Sequence, residues 1–238
     1  MSREHLNELP LPRPVGDPAY LRATQLAHSH ERVLAVLRAL AFDALRRSPT
    51  SVLLEVGCAA GGSALALLGV RRQFPQGPLV TVDPWGGREY PMSDSRYGEK
   101  FAAEAQATLA VAARDAGVVW WHWRLPSLDY FRLVAPQGYW WAGDLRATEY
   151  ALTFLDGEHV FSTVGPEVCA AAENLVDDGW IVVDNVNHQQ PGSQDMLASV
   201  EELARELGLA CRCYDAPDGD VIAVLGKNDP STVLGVKP

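Results

Sequence analysis

Hydrophobic and polar positions alternate along most of this chain in two different patterns. Short apolar runs, typical of strands that are covered on both faces, occur at 52–56, 79–83, 118–123, 150–155 and 180–184. Apolar residues spaced as in amphipathic helices lie between and after them, at 62–72, 100–116, 127–134, 164–176 and 194–207. The alternation predicts an α/β fold with a doubly wound, mostly parallel sheet, right-handed crossovers and helices on both faces.

The two ends of the chain depart from this alternation. Residues 1–17 are rich in proline and predict an extended arm, and 18–47 shows a helical pattern that breaks near residue 29. At the other end, strands predicted at 209–214 and 220–225 follow each other without a helix between them. These ends therefore add an arm and helices before the alternating part, and a strand pair after it.

Length and composition indicate one globular domain. The chain has 238 residues, of which 47% are hydrophobic and 21% are charged, which is enough for one sizeable core. We expect a single domain over 1–238, with the arm and first helices at 1–47 and the α/β core at 48–228. A long insert at 84–99 is expected to contain a mobile lid that begins at Trp85.

Charge, hydropathy and cysteine spacing narrow the classes of partner and compartment. The formal net charge of -10 disfavours nucleic acids and anionic membranes as partners. No apolar run approaches the ~20 residues of a membrane span, and the first residues lack the apolar core of a secretion signal. The four cysteines match no zinc or redox motif, so we expect reduced thiols in a cytoplasmic protein.

The most informative stretch, 52–63, has the pattern of a buried strand, a glycine turn and a helix start. Gly57 and Gly61 lack the Cβ atoms that would keep a ligand off the backbone. Ser63 lies in the first helical turn, where free N–H groups can hold a carboxylate or a phosphate. The turn matches the dinucleotide fingerprint G-x-G-x-x-G only in part. With Glu55 it matches instead the pattern acidic-x-Gly-x-x-x-Gly.

This second pattern resembles the class I methyltransferases that use S-adenosylmethionine (SAM). Ser63 is similar to the serine that meets the cofactor's carboxylate in the catechol O-methyltransferase type. The runs 154–159 and 178–185 are similar to the Mg²⁺-dependent sugar O-methyltransferases of macrolide and aminocoumarin biosynthesis. The resemblance covers roughly residues 50–225. It implies a single Rossmann-like domain with a seven-stranded sheet and an antiparallel C-terminal strand.

Further polar residues at predicted strand ends complete the expected cofactor site. Asp83 ends the second strand, where an acid can accept hydrogen bonds from ribose hydroxyls, although an NAD site would use the same acid. A turn aspartate before Pro84 is the structural alternative. Arg124 and Ser127 follow the third strand and are expected near the adenine by their position. Asp156 ends the fourth strand and is expected to border the cofactor.

A metal site is expected where two neighbouring strands end, at Asp156, Asp184 and Asn185. Carboxylate and amide oxygens are hard donors that suit Mg²⁺. The 28-residue gap between the two aspartates, followed directly by Asn185, resembles the metal triad of the catechol type. The macrolide-sugar type usually has two acids at the second position. The resemblance therefore implies Mg²⁺, or another divalent cation, in a site of lower charge than the macrolide-sugar type has.

Two histidines are candidates for a general base. His159 follows Asp156 by three positions, where the resembling families have a lysine or a histidine as the base. A neutral imidazole can accept a proton near neutral pH. A loop histidine that bonds to the backbone is the alternative. His188, in the loop after Asn185, is the second candidate for the same cleft.

The function expected from these observations is SAM-dependent, divalent-metal-assisted O-methylation of a small natural product, of sugar or phenol type. The expected partner is then a small-molecule acceptor, and neither a nucleic acid nor a membrane is expected. The sequence leaves open whether the protein forms a homodimer. One alternative is an N- or C-methyltransferase or a non-methylating SAM enzyme of the same fold, which does not need the triad. The others are an NAD-binding oxidoreductase and a non-catalytic relative, and the intact triad argues against the latter.

Overall fold

The computed structural model describes residues 4–11, 18–27, 29–85, 99–188 and 195–235. Within these ranges the strands are β1 Glu4–His5, β2 Val52–Val56, β3 Leu79–Val82, β4 Trp120–Trp123, β5 Tyr139–Trp141, β6 Asp144–Arg146, β7 Tyr150–Leu155, β8 Leu175–Val183, β9 Ala210–Asp215 and β10 Val221–Gly226. The α-helices are α1 Pro18–Leu26, α2 Glu31–Arg47, α3 Gly62–Arg71, α4 Glu99–Ala116, α5 Ser127–Asp129, α6 Phe161–Glu173, α7 Met196–Glu206 and α8 Ser231–Leu234. The predicted lid after Trp85 lies outside the described residues.

One twisted sheet organises the molecule, with strand order β1-β9-β10-β8-β7-β2-β3-β4. Five neighbouring strands are parallel to one another, and they are β8, β7, β2, β3 and β4. Strand β10 runs antiparallel to both β8 and β9. The mostly parallel sheet with an antiparallel C-terminal strand is therefore confirmed. The chain starts the core at β2 and extends the sheet first toward β4 and then toward β8, so the topological switch point lies between β2 and β7.

Alternating side chains of the strands pack on two apolar layers. On one face, Leu53 of β2 packs with residues of α1, α2, α3 and α4. On the other face, Leu54 of β2 packs with residues of α6 and α7. The prediction of helices on both faces is thus confirmed. Among the described residues, no helix combines the length and the apolar character that a bilayer crossing requires.

The sheet has an eighth strand in addition to the seven that the resemblance implied. The N-terminal arm supplies it, because Glu4 pairs in parallel register with Tyr214 of β9. The buried guanidinium of Arg32 fixes the arm by donating to the carbonyl oxygens of Leu6, at 3.0 and 2.6 Å, and Leu9, at 2.7 Å. Such a clamp between a side chain and a distant backbone leaves no periodic signal in the sequence.

Three further elements differ from their predicted bounds. Residues predicted as a loop around Tyr139 form the hairpin of β5 and β6, whose turn residue Gly143 has φ 93°. The segment 127–134 is a short α-turn followed by the π-helix Tyr130–Val134. Strand β8 begins at Leu175, earlier than predicted, because Asp177, Asp178 and Gly179 interrupt its apolar run.

Candidate active site

A cavity of about 390 Å³ lies at the switch point, where the carboxyl ends of β2, β3, β7 and β8 meet. Its lining includes eight of the predicted site residues, which are Gly57, Ser63, Asp83, Ser127, Asp156, His159, Asp184 and Asn185. The other four predicted residues lie behind or beside the lining, and they are Glu55, Gly61, Arg124 and His188. Separate segments of the sequence therefore meet in one cleft, as the strand-end argument predicted.

The glycine turn is shaped by two close backbone approaches. Gly57 has φ 85°, and a Cβ there would lie 2.1 Å from the backbone oxygen of Asp156. A Cβ on Gly62 would lie 2.2 Å from the backbone nitrogen of Ala27, at the end of α1. Any larger residue at either position would force the turn away from its neighbour. The role of Gly62 was missed because it depends on the packing of α1. Gly61 is the N-cap residue of α3, outside the cavity lining.

Glu55 lies beneath the turn, fully buried on the same side of β2 as α3. The Ser63 hydroxyl donates a hydrogen bond to Oε1 of Glu55. Burial raises the pKa of Glu55 to about 8, although the bond from Ser63 opposes this change. Glu55 therefore supports the turn from behind, and the Ser63 hydroxyl is already engaged. What remains for a ligand at the start of α3 are backbone N–H groups without an intrahelical acceptor.

The carboxylate of Asp83 borders the cavity and is oriented by two backbone donors. Its Oδ1 accepts from the backbone N–H of Trp85 at 2.8 Å, and its Oδ2 accepts from that of Ala59 at 2.9 Å. Burial raises the pKa of Asp83, and these two bonds oppose the rise. Each carboxylate oxygen can accept a further hydrogen bond. The geometry fits two ribose hydroxyls.

Arg124 holds the segment that follows Asp83, outside the cavity lining. Its guanidinium donates to the backbone oxygens of Pro84 at 3.3 Å and Trp85 at 3.0 Å. The buried indole of Trp85 stacks on His122, with ring centroids 3.9 Å apart, and donates to the backbone oxygen of Ala59 at 3.0 Å. Burial, followed by the charge of Arg124, lowers the pKa of His122 to about 4, so this ring is neutral.

Asp156 and Asp184 end the neighbouring strands β7 and β8 and face each other across the cavity end. The Ser29 hydroxyl lies between them, 3.4 Å from Oδ2 of Asp156 and 3.5 Å from Oδ2 of Asp184. Burial, followed by the charge of Asp184, raises the pKa of Asp156 well above its usual range. Burial also raises the pKa of Asp184. Two carboxyl groups, that of Asp184 buried and that of Asp156 partly buried, are therefore held close together with one hydroxyl between them.

Asp220 meets Asn185 at the same end of the cavity. The Asn185 amide is best satisfied with Nδ2 donating to the two carboxylate oxygens of Asp220, at 2.9 and 3.0 Å, which turns the amide oxygen toward Asp184. Asp220 also lies 3.2 Å from Nε2 of His188. Asp220 stands in the hairpin of β9 and β10, which the antiparallel pairing of β10 with β8 brings to this edge.

The two predicted histidines lie side by side near the aspartates. Nε2 of His159 is 4.0 Å from Oδ1 of Asp156, and its ring meets that of His188 edge-on at 5.7 Å. Burial, followed by the neighbouring His188, lowers the pKa of His159, which keeps its imidazole neutral at neutral pH. His188 lies outside the lining and contacts Asp220. His159 is therefore the histidine that borders the cavity.

Several lining residues were not predicted from the sequence, among them Ser29, Gly62, Glu167 and Asp220. Ser29 and Asp220 reach the cavity through the packing of the α1–α2 connection and the C-terminal hairpin, and no local pattern marks them. Gly62 belongs to the glycine turn, but its role depends on the packing of α1. Glu167 did leave a signal, because it is a lone charged residue in the otherwise apolar stretch 164–172. An isolated acid on the buried face of a helix needs a partner or a role.

Among the described residues, no group of three or more His, Cys, Asp or Glu side chains is arranged to hold a metal ion. The predicted triad has two such residues and an amide. A glycine turn, an acid after the second strand and a cleft between them form a nucleotide-cofactor site of the α/β class.

A family model described as a methyltransferase domain matches residues 54–186, more than half of the chain. The chain belongs to this family, and it is a class I, SAM-dependent methyltransferase. The assignment decides against the NAD-binding oxidoreductase. No curated protein gives a significant match.

Solved structures of the same fold are distant in sequence. The O-methyltransferase TomG from Streptomyces achromogenes, involved in tomaymycin synthesis and solved with SAM, is 21% identical, with 89% of this chain and 91% of that chain covered and a TM-score of 0.57. An O-methyltransferase from Bacillus cereus with bound S-adenosylhomocysteine (SAH) is 17% identical, with coverage of 93% and 95% and a TM-score of 0.59. CalS11, a TDP-rhamnose 3'-O-methyltransferase of calicheamicin biosynthesis, is 14% identical, with coverage of 91% and 88% and a TM-score of 0.57. At these identities the likeness establishes the fold.

Proposed function

We propose that this protein transfers the methyl group of SAM to a hydroxyl oxygen of a small molecule, with a divalent cation at Asp156, Asp184 and Asn185. The observation that carries the proposal is the pair of carboxyl groups at the end of the cofactor cavity, Asp184 buried and Asp156 partly buried. Proteins of the same fold that methylate oxygen in natural-product synthesis, such as TomG and CalS11, support it. A sugar or a phenol is the acceptor class we propose.

The residues at this end of the cavity fit a hard cation. Oδ1 of Asp184 is buried and has no hydrogen-bond partner among the described residues. Burial and the charge of Asp184 disfavour the ionised form of Asp156, and a cation would reverse this preference. Asp220 turns the oxygen of Asn185 toward Asp184, which adds a neutral oxygen donor. A bound Mg²⁺ would supply Lewis acidity to the acceptor hydroxyl.

Residues on the other side of the cavity orient the methyl donor. Asp83 accepts hydrogen bonds from the ribose hydroxyls, and the backbone N–H groups at the start of α3 receive the carboxylate of SAM. With the ribose and the carboxylate held in this way, the sulfonium end would face the acid pair of Asp156 and Asp184. Methyl transfer requires the acceptor oxygen, the methyl carbon and the sulfur in line, so the cavity must hold both molecules in one orientation.

His159 receives the proton of the acceptor hydroxyl. Its imidazole is kept neutral by burial and by His188, so Nε2 can accept. As the oxygen forms its bond to the methyl carbon, the bond from carbon to sulfur breaks and SAH is released. The proton passes from the hydroxyl to His159 and then to solvent, which reaches this partly exposed ring.

Transfer of radiolabelled methyl groups to a panel of sugar nucleotides and phenols tests the proposal, with EDTA and then with added Mg²⁺. We expect turnover that EDTA abolishes and Mg²⁺ restores. The variant Asp184→Asn should lose activity, whereas Asp177→Asn, at an exposed position of the same strand, should keep it. Full activity in EDTA would contradict the role of the metal.

Metal-independent transfer is the second candidate, and one observation favours it. The Ser29 hydroxyl lies within reach of both Asp156 and Asp184, so it can stabilise the pair without a cation. In that case the variant Ser29→Ala should lower activity in EDTA. If the cation is required, Ser29→Ala should leave the dependence on Mg²⁺ unchanged.

A further inference from the structure

Glu167 is a buried acid whose carboxylate lacks a partner. It lies on α6 with 1% of its surface exposed, and it contributes to the lining of the cofactor cavity. Among the described residues, neither of its carboxylate oxygens has a hydrogen-bond partner. Buried polar groups are nearly always satisfied in folded proteins, and an exception at a cavity wall points to a missing ligand group.

The surroundings of Glu167 indicate what kind of group is missing. No lysine or arginine of the described chain lines this cavity, so Glu167 has no cation to pair with there. Burial raises the pKa of Glu167 to about 7, and the nearby Ser127 hydroxyl opposes the rise, although it does not lie in hydrogen-bonding geometry with either carboxylate oxygen. In either protonation state the carboxyl group keeps an oxygen that can accept a hydrogen bond. Its complement is therefore a hydrogen-bond donor of the ligand.

The position of Glu167 within the cavity selects the part of SAM that it meets. The acid pair at Asp156 marks the end where the methyl group reacts, and Asp83 marks the ribose. The base is joined to the ribose on the side away from the sulfur. On that side, helix α5 begins with Ser127 and packs on α6. The residues that line the cavity on this side of the ribose include Ser127 and Glu167.

We propose that Glu167 accepts a hydrogen bond from the exocyclic 6-amino group of adenine and so determines the preference of this enzyme for an adenine cofactor. The inference rests on the use of SAM, and it adds a residue that recognises the base. Adenine presents two amino hydrogens at its edge, and the carboxylate supplies the acceptor that the described surroundings otherwise lack. A hydrogen bond to a buried acid changes affinity by roughly tenfold or more.

Calorimetric titration with two ligands separates recognition of the amino group from general stability. The ligands are SAH and its analogue in which hydrogen replaces the 6-amino group. The wild-type protein should bind SAH at least about tenfold more tightly than the analogue. Glu167→Leu should bind both equally. Glu167→Gln keeps a carbonyl oxygen that can accept, so it should keep the preference. Glu173→Gln, at an exposed position of the same helix, should match the wild type.

The ratio of the two affinities decides the question, because a purely structural role would not change it. If Glu167→Leu keeps the wild-type ratio, the inference is wrong although SAM use stands. If Glu167→Leu does not fold, Glu167→Met takes its place in the same comparison and should likewise bind both ligands equally, and a wild-type ratio near one would overturn the inference without any variant. If the wild type binds neither SAH nor SAM, the use of SAM itself is wrong, and the inference is lost with it.

Discussion

The carboxylate of Asp220 lies 2.9 and 3.0 Å from the amide nitrogen of Asn185, although 35 positions separate the two residues in the chain. The contact gives a physical reason for the amide at position 185. A second acid there, as in the macrolide-sugar type, would face the charge of Asp220, whereas the amide donates to it and directs its oxygen to Asp184. The C-terminal hairpin thereby determines how the end of β8 presents its oxygens.

This contact predicts that Asp220 supports metal binding without touching the metal. In Asp220→Leu the Asn185 amide loses its acceptor and can rotate, so affinity for Mn²⁺ should fall about tenfold, as is usual for residues that orient a ligand. Electron paramagnetic resonance of free Mn²⁺ measures the affinity. SAH affinity, measured by calorimetry, should change little. Equal Mn²⁺ affinity in wild type and variant would show that the amide needs no such support.

Loss of the Asp83 carboxylate should weaken cofactor binding. Hydrogen bonds between a carboxylate and the ribose hydroxyls contribute about 1.5–3 kcal/mol each, so Asp83→Ala should reduce SAM affinity at least tenfold. The substitution also removes the acceptor of the backbone N–H groups of Ala59 and Trp85, which donate to Asp83 in the wild type. Calorimetry at constant pH measures the change, with Asp129→Ala at a partly exposed position outside the cavity lining as the control. An unchanged affinity would refute the ribose assignment.

Residues at strand ends were predictable because the sheet geometry itself places them. Asp83, Asp156 and Asp184 each follow an apolar run, and parallel strands bring their carboxyl ends to one edge. The glycine turn at Gly57 was predictable from a local pattern. Both signals are short in sequence, so they need no knowledge of how the helices pack.

Residues that reach the cavity through tertiary packing were not predictable. Ser29 arrives from the connection between α1 and α2, and Asp220 arrives from the hairpin of β9 and β10. Glu55 shows the opposite case, because its motif suggested a ligand contact whereas the pleat of β2 turns it beneath α3. The sequence pattern identifies the turn, and only the alternation of the strand in three dimensions decides which side chain faces the ligand.

Removal of the His159 imidazole should lower kcat and leave binding intact. General-base catalysis usually contributes about 10²–10⁴ in rate, so His159→Ala should lose at least a hundredfold in kcat. His188→Ala is the matched control, because its ring lies outside the lining and contacts Asp220. Steady-state kinetics on the true acceptor, together with SAH affinity, provide the measurement. If His188→Ala alone loses activity, His188 is the base. If both variants keep it, the proton leaves by another route.

The buried Glu55 should make the stability of the protein depend on pH. Its pKa is about 8 in the folded state against 4.5 for an ordinary glutamate. Between these values the folded state holds the proton more firmly than the unfolded state, so the stabilising contribution is complete below pH 4.5 and is lost as the pH rises through 8.

Glutamine at this position does not titrate and can still accept the bond from Ser63. The free energy of unfolding of Glu55→Gln relative to the wild type should therefore increase between pH 5 and pH 9, by an amount on the order of a few kcal/mol. Urea unfolding at several pH values measures the difference, in which the contributions of Asp156, Asp184 and Glu167 cancel because both proteins contain them. The exposed Glu173→Gln should show a flat difference over the same range. A flat difference for Glu55→Gln as well would mean that Glu55 is ionised in the folded protein, stabilised there by its bonds to the turn.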